Sequence, residues 1–349
     1  MKKVISLVCV VVVLFSTFSC SFAESQTVLE TKKDNSTFSL DFEFDKEDIE
    51  EALKSNNGKI EIDKNQLLKK SLMKNRNLKV VEKFLINEDI IIDIKDNENS
   101  EEFLKARKKA IKNENGQEPI LTSLKTSIHF FNKTGEKLTE SDVKNLSNSL
   151  ALKSSGYDDE NEYKYMTISI YVYDVWNTSE TEKKNIITAK YDWPENFQGG
   201  WVDYPQSDFA EDVALVAWDR GPVSTSEKKA NTDISVRYTS LNNKSIYKDD
   251  SDFSFHEDST SKSVAYAIDE GFLKSGYSYS LRYIRITTST SYYDPDKFGD
   301  DGFATAQYAH SRKDGVPTFS ISYPSSISVS WSKVSSKDIA EVDVRIPRN

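Results

Sequence analysis

The feature that most constrains this chain is an alternation of period two that begins near Tyr163. Met166, Ile168, Ile170 and Val172 fall on one parity, and Tyr163, Tyr165, Thr167, Ser169, Tyr171 and Tyr173 on the other. Successive side chains of a strand point to opposite faces, so this spacing makes a strand with two distinct surfaces and argues against a helix. The pattern recurs through the rest of the chain. Further strands are expected at Ile186–Trp193, Val213–Trp218, Ile234–Tyr238, Val264–Ile268, Tyr277–Thr288, Phe303–His310, Phe319–Tyr323, Ile327–Trp331 and Val342–Ile346. The run Val213 to Trp218 is apolar on both parities, which suits a central strand. About ten strands separated by Gly, Asp, Asn and Pro turns predict a mainly β fold, an antiparallel β-sandwich or an open barrel.

The alternation coincides with a shift in aromatic composition. All 17 tyrosines lie at or beyond Tyr157, and the five tryptophans (Trp176, Trp193, Trp201, Trp218 and Trp331) lie there too. The expected division is therefore a signal segment over 1–23, a charged, short-helix-rich region or spacer over 24–120, and a Tyr/Trp-rich β-sandwich over 121–349. In the helical region Asp45 caps a helix to about Ser55, with Asn57-Gly58 as its stop. Asp63 caps a second helix carrying Leu67, Leu68 and Leu72. Asp89 to Ile94 reads as a strand, and Asn99 with Glu102 reads as a capping box opening a helix that carries Phe103. Thr139 and Asp142 form another cap, with Leu138 and Val143 as its hydrophobic staple.

The segment 1–23 carries export features: Lys2 and Lys3, the apolar run Val4 to Phe18, and Ser21-Phe22-Ala23 before Glu24. The expectation is secretion, with lipid anchoring at Cys20 as the alternative. No other segment approaches the roughly 18 apolar residues of a membrane span. Cys9 and Cys20 are the only cysteines. A chain cleaved after Ala23 has no disulfide, no thiol nucleophile and no cysteine-ligated zinc. The balance of 46 basic against 56 acidic residues, a net −10, argues against nucleic acid as a partner.

Among chemical motifs, the three histidines (His129, His256 and His310) show no metal-ligating spacing, and there is no G-x-S-x-G elbow and no Gly-rich phosphate loop. No cofactor is implied, with room only for Ca²⁺. Asp294, Asp296, Asp300 and Asp301 crowd an Asp/Gly-rich turn, and hard cations take several carboxylate oxygens. The turn departs from the EF-hand pattern at Phe298 and Thr305, so its other reading is a plain hairpin turn. Tyr171, Tyr173, Trp176, Trp193, Trp201 and Tyr204 cluster around loops holding Pro194, Gly199, Gly200 and Pro205. Flat rings stack on sugars or at protein interfaces, or they seal the ends of a sandwich core. The first reading gives a non-catalytic binding module for a cell-surface glycan or protein. A membrane-active, pore-forming β-protein is the alternative, resting on Tyr277 to Tyr293. Arg282 and Arg285 of that stretch stand on opposite parities, which would turn one charge to lipid. A secreted glycoside hydrolase needs a carboxylate pair that spacing alone does not reveal.

The stretch Phe303 to Trp331, with Tyr308-Ala309-His310 followed by a Ser-alternating strand, resembles the end of uncharacterised secreted proteins of Gram-positive bacteria. The resemblance is confined to that stretch. It implies secretion from a bacterium and carries no activity.

Overall fold

The computed structural model describes residues 38–63, 65–67, 69, 89–132, 137–139, 141–143, 163–193, 212–240, 242–253, 255–256, 262–269, 271–311, 317–322, 326–331 and 337–348. The chain is mainly β, and every strand pairing is antiparallel. The signal segment, Cys20, Leu68, Leu72, Trp201 and Tyr204 lie outside the described residues.

The strands are β1 (Ser39–Phe44), β2 (Lys59–Ile62), β3 (Ile90–Asp93), β4 (Ile120–Asn132), β5 (Tyr163–Trp176), β6 (Lys183–Asp192), β7 (Asp212–Trp218), β8 (Thr232–Ser240), β9 (Ser245–Asp249), β10 (Phe255–His256), β11 (Ser263–Ile268), β12 (Gly271–Lys274), β13 (Tyr277–Ser289), β14 (Gly302–Ser311), β15 (Pro317–Ser322), β16 (Ser326–Trp331) and β17 (Lys337–Ile346). The larger sheet runs β1-β4-β5-β6-β13-β8-β9, with β12 added beside β13. A second sheet runs β10-β11-β7-β14-β17, and β15-β16 and β2-β3 form separate pairs. The two large sheets keep separate edges. The two sheets stack as a sandwich, and among the described residues no closed barrel forms.

Parity explains the packing. Met166, Ile168, Ile170 and Val172 of β5 join Ala214 and Val216 of β7, Ile234 and Val236 of β8, and Ala304 and Ala306 of β14 in one core. All seven residues of β7 are buried, as its two-faced apolar run requires.

Part of the opposite face of the larger sheet is also covered. Helix α1 (Lys46–Ser55), the short α2 (Ile94–Glu98) and α3 (Glu101–Lys108) precede β4 in the chain. A second core joins Ile49 of α1, Ile94 of α2 and Phe103 of α3 to Leu124, Ile128, Tyr171, Tyr173 and Ile186 of the sheet. β1 pairs with β4 along its whole length. The region before 120 therefore supplies an edge strand and a covering layer, and within the described residues it is no spacer. Part of the charge that suggests a spacer is exposed on these helices, and part is turned to the sheet, where Asp96 and Glu102 meet Arg285.

Local signals act as expected at several points. Asp45 and Asp48 form a reciprocal cap for α1, at 2.9 and 3.2 Å. Asn57 (φ 52°) and Gly58 (φ 80°) then turn the chain through left-handed conformations. A Cβ on Gly58 would stand 2.7 Å from Lys95 Cγ. The cap of α3 is Ser100, whose hydroxyl accepts from the Phe103 amide at 3.3 Å. Asn99 is displaced from that role because it ends α2.

Candidate functional site

Three of the aromatic residues singled out by sequence lie in the cores. Tyr171 and Tyr173 point from β5 into the helical layer and are buried. The Tyr173 ring packs on Phe103 with centroids 4.5 Å apart, and its hydroxyl accepts a hydrogen bond from Asn97 at 3.0 Å. Burial pushes the Tyr171 hydroxyl up to about 12 and Tyr173 well above its ordinary value. Trp193, 2% exposed, packs edge-on against Tyr308 at 5.2 Å between the sheets. These three rings are packing residues, because the helices cover one face of the sheet and the second sheet covers the other. Trp176 is half-buried, with the Lys183 ammonium 5.5 Å over its ring.

The Asp-rich turn is arranged around arginines. Asp294 caps a single 3-10 turn through the Asp296 amide, and its carboxylate pairs with Lys297 at 3.6 Å. Asp296 pairs with Arg348 at 3.1 Å, and Asp300 with Arg220 at 3.2 Å. Asp301 accepts from the Arg348 amide at 3.0 Å. The four carboxylates do not converge, because each turns to a different cation or amide. Among the described residues no group of three or more His, Cys, Asp or Glu is placed to hold a metal ion.

His310 and Asp212 stand far apart in the sequence. The pairing of β14 with β7 brings His310 Nδ1 to 3.1 Å from Asp212 Oδ1. The Tyr308 hydroxyl donates to the other oxygen of the same carboxylate. All three residues are buried, so the cluster ties two strands of the second sheet together.

The open feature is a strip on the helical side of the larger sheet, beyond the helices. Tyr247, Arg237, Tyr283, Asp192 and Thr167 are successive cross-strand partners on β9, β8, β13, β6 and β5. Two residues along, Ser235, Arg285, Lys190 and Ser169 form a parallel row, in which Arg285 and Ser169 are buried and Arg285 is tied to the helices. Tyr247 is 63% exposed, with the Arg237 guanidinium 5.9 Å from its ring. Tyr283 is half-buried and flanked by Lys190 at 5.8 Å and Arg285 at 5.6 Å. Its hydroxyl is held above its ordinary value by burial. Lys190 pairs with Asp192 at 3.0 Å and with Asp96 at 3.7 Å. Burial opposes the Lys190 charge, yet Asp192 and the other surrounding groups carry its pKa above the ordinary value. Arg285 reaches Asp96 directly and stands 3.9 Å from Glu102. The strip combines two ring faces with fixed donors and acceptors.

A bulge makes this arrangement possible. The β13–β8 register shifts between Leu281 and Tyr283. Leu281 and Tyr279 before it, and Ile284 and Ile286 after it, all enter the same core. Arg282 is the extra residue, which removes the parity conflict between Arg282 and Arg285 read from the sequence. Tyr247 escapes sequence reading because β9 is only five residues long. Its signal is the Asn242-Asn243 turn, where Asn243 takes φ 57°.

No family model matches this chain, and no curated protein matches it. Weak likenesses are found among solved structures. One is to a structure described as a pore forming protein, at 9% identity and TM-score 0.25, covering 66% of this chain and 96% of that one. Another is to Clostridium perfringens delta-toxin, at 10% identity and TM-score 0.25, covering 65% and 91%. A third is to a structure concerned with pH-induced modulation of Streptococcus parasanguinis adhesion by Fap1 fimbriae, at 15% identity and TM-score 0.21, covering 52% and 79%. Likenesses of this size do not define a common fold. None of the described helices is long and apolar enough to cross a membrane.

Proposed function

We propose that this is an exported, non-catalytic binding module that engages an extracellular glycan through the Tyr247–Tyr283 strip. The observation that carries the reading is a large ring, Tyr247, held 63% exposed beside a row of charged groups already fixed by ion pairs. Sugars present apolar ring faces edged by hydroxyls, and a tyrosine face beside Arg237, Lys190 and Asp192 complements both parts. The groups are preorganised by the sheet, so little side-chain entropy is lost on binding. The export features of the segment 1–23 agree with an extracellular ligand.

The membrane-active reading draws no comparable support. β13, the stretch that suggests it, is paired on both sides by β6 and β8. Its use as a spanning hairpin would break both ladders.

The test is capture of the purified protein on insoluble peptidoglycan and on a panel of immobilised bacterial polysaccharides. Wild type should be retained on at least one, and Tyr247→Ala should lose retention at least tenfold with an unchanged melting temperature. Equal retention of the variant, or no retention of wild type, overturns the proposal. Dye release from liposomes by wild type would favour the membrane-active reading instead.

A further inference from the structure

The described residues contain a second polar cluster, closed to solvent, at the end of the sandwich where β5 and β6 meet the segment after β17. Lys183 is fully buried and Asp174 nearly so, with side chains 0% and 3% exposed. Lys183 Nζ lies 2.7 Å from Asp174 Oδ2 and donates to the Pro347 carbonyl at 2.5 Å. The other carboxyl oxygen, Asp174 Oδ1, accepts from Asn185 Nδ2 at 2.7 Å and from Thr122 Oγ1 at 3.3 Å. Tyr293 fixes the amide of Asn185 by donating to its Oδ1 at 2.9 Å. The Trp176 ring adds an apolar wall against the ammonium.

Each contact does more than neutralise charge. A buried ion pair gains little over an apolar packing, since both partners lose their water. In a dry site the neutral pair, amine and carboxylic acid, competes with the charged one. Burial raises the Asp174 pKa in spite of the adjacent Lys183. The two oxygens are also differentiated. Oδ1 accepts from the Asn185 amide and shares the single Thr122 hydroxyl proton with the Val172 carbonyl, 3.2 Å from that hydroxyl, which makes Oδ1 the oxygen better placed to gather negative charge. Oδ2 faces the amine. The Pro347 carbonyl orients that amine, whose nitrogen lies 2.7 Å from Oδ2 of the carboxyl group it would attack.

We propose that Lys183 and Asp174 join covalently through an amide between Nζ and Cγ, formed within the folded chain. The ammonium first passes a proton to Asp174 Oδ2, leaving a neutral amine and a carboxylic acid. The amine lone pair attacks Cγ, and the electrons of the C=O bond move to Oδ1, held by Asn185 and Thr122. The C–Oδ2 bond then breaks as the C=O bond re-forms. Oδ2 departs as water, carrying its own proton and one from the nitrogen. The remaining amide N–H keeps the Pro347 carbonyl as acceptor. One ammonium and one carboxylate give one amide and one water, with no change of oxidation state and no co-reactant. Asp174 is register-paired with Asn185, one diagonal step from Lys183, so the link would span adjacent strands β5 and β6. It would be a covalent staple in a chain whose only cysteines are Cys9 and Cys20.

The test is mass spectrometry of the full-length purified protein, digested with trypsin after denaturation. Residues 165–184 should appear as one fragment lighter than its linear sequence by one water, uncut after Lys183, with no backbone fragment ions between 174 and 183. Lys183→Arg keeps the positive charge and should restore the full mass and the missing ions. If that variant fails to fold, the wild-type fragment still decides. A wild-type fragment of full mass, cleaved after Lys183, overturns the proposal and leaves a buried ion pair only.

Discussion

Trp193 and Tyr247 are large rings attached to the same sheet, 2% and 63% exposed. Composition treats them alike, and by sequence the cluster between Tyr171 and Tyr204 looks like the richer surface. The difference arises from what lies across from each ring. Trp193 follows β6 into the space between the sheets and meets Tyr308. Tyr247 stands on the edge strand β9, with the Arg237 guanidinium 5.9 Å from its ring. Replacing Trp193 by Ala should cost about 3–5 kcal/mol, the usual cost of emptying a large aromatic site in a core. Replacing Tyr247 should change stability by less than about 0.5 kcal/mol, as at other exposed positions. Chemical denaturation of the two variants checks both. Similar losses in the two would mean that Tyr247 packs against something and is no free surface. Residue identity is thus readable in the sequence and burial is not. Burial depends on the partner face, and for Tyr171 and Tyr173 that face is a set of helices far upstream in the chain.

At the scale of elements, period and caps are more legible. The expected strands from 186 onward correspond to β6, β7, β8, β11, β13, β14, β15, β16 and β17, and α1 starts at its expected Asp45 cap. The strands β2, β9, β10 and β12 escape because so few residues give too few repeats of a period, and the six-residue β1 escapes as well, although Leu40, Phe42 and Phe44 alternate in it. What the helices do is also hidden. Their polar faces suggest solvation, yet α2 and α3 dock on the sheet by ion pairs such as Arg285–Asp96 and Lys105–Asp233. Glu98, the last residue of α2, is caught in this docking. Burial raises its pKa above the ordinary carboxyl value, with Lys95 and Arg107 offsetting part of the effect. A carboxyl raised in the folded state contributes its full stability below its unfolded pKa of about 4.5. That contribution is lost as pH rises through the folded value. Glu98→Gln removes the penalty of ionisation. It should therefore raise the melting temperature at pH 7 and leave it nearly unchanged at pH 4, as melting curves of wild type and variant across this range would report. A variant less stable than wild type at pH 7 would show that the Lys95 and Arg107 attractions outweigh burial.

For the whole molecule, the question is whether the helical layer belongs to the sandwich or is carried beside it. The change in composition near 120 suggests a boundary there, because tyrosine and tryptophan are absent before it. Packing crosses that position freely. β1 hydrogen-bonds to β4, and Phe38, Leu40, Ile49, Ile94 and Phe103 share a core with Leu124, Ile128, Tyr171, Tyr173, Val175 and Ile186. Without residues 1–120 those last six side chains, spread over β4, β5 and β6, would form one exposed apolar face. Single exposed apolar residues are ordinary, but a contiguous face of this kind drives association. The charged partners would be stranded too. Arg285, now buried and paired with Asp96 and Glu102, would lose both carboxylates. A chain beginning at residue 121 should therefore aggregate or bind a hydrophobic dye on expression, while a chain beginning at residue 24 should stay monomeric and unfold in one transition. Size-exclusion chromatography and dye fluorescence of the two chains separate the outcomes. A soluble, cooperatively folded 121–349 fragment would show that the sandwich stands alone and that the helical layer is an accessory to it.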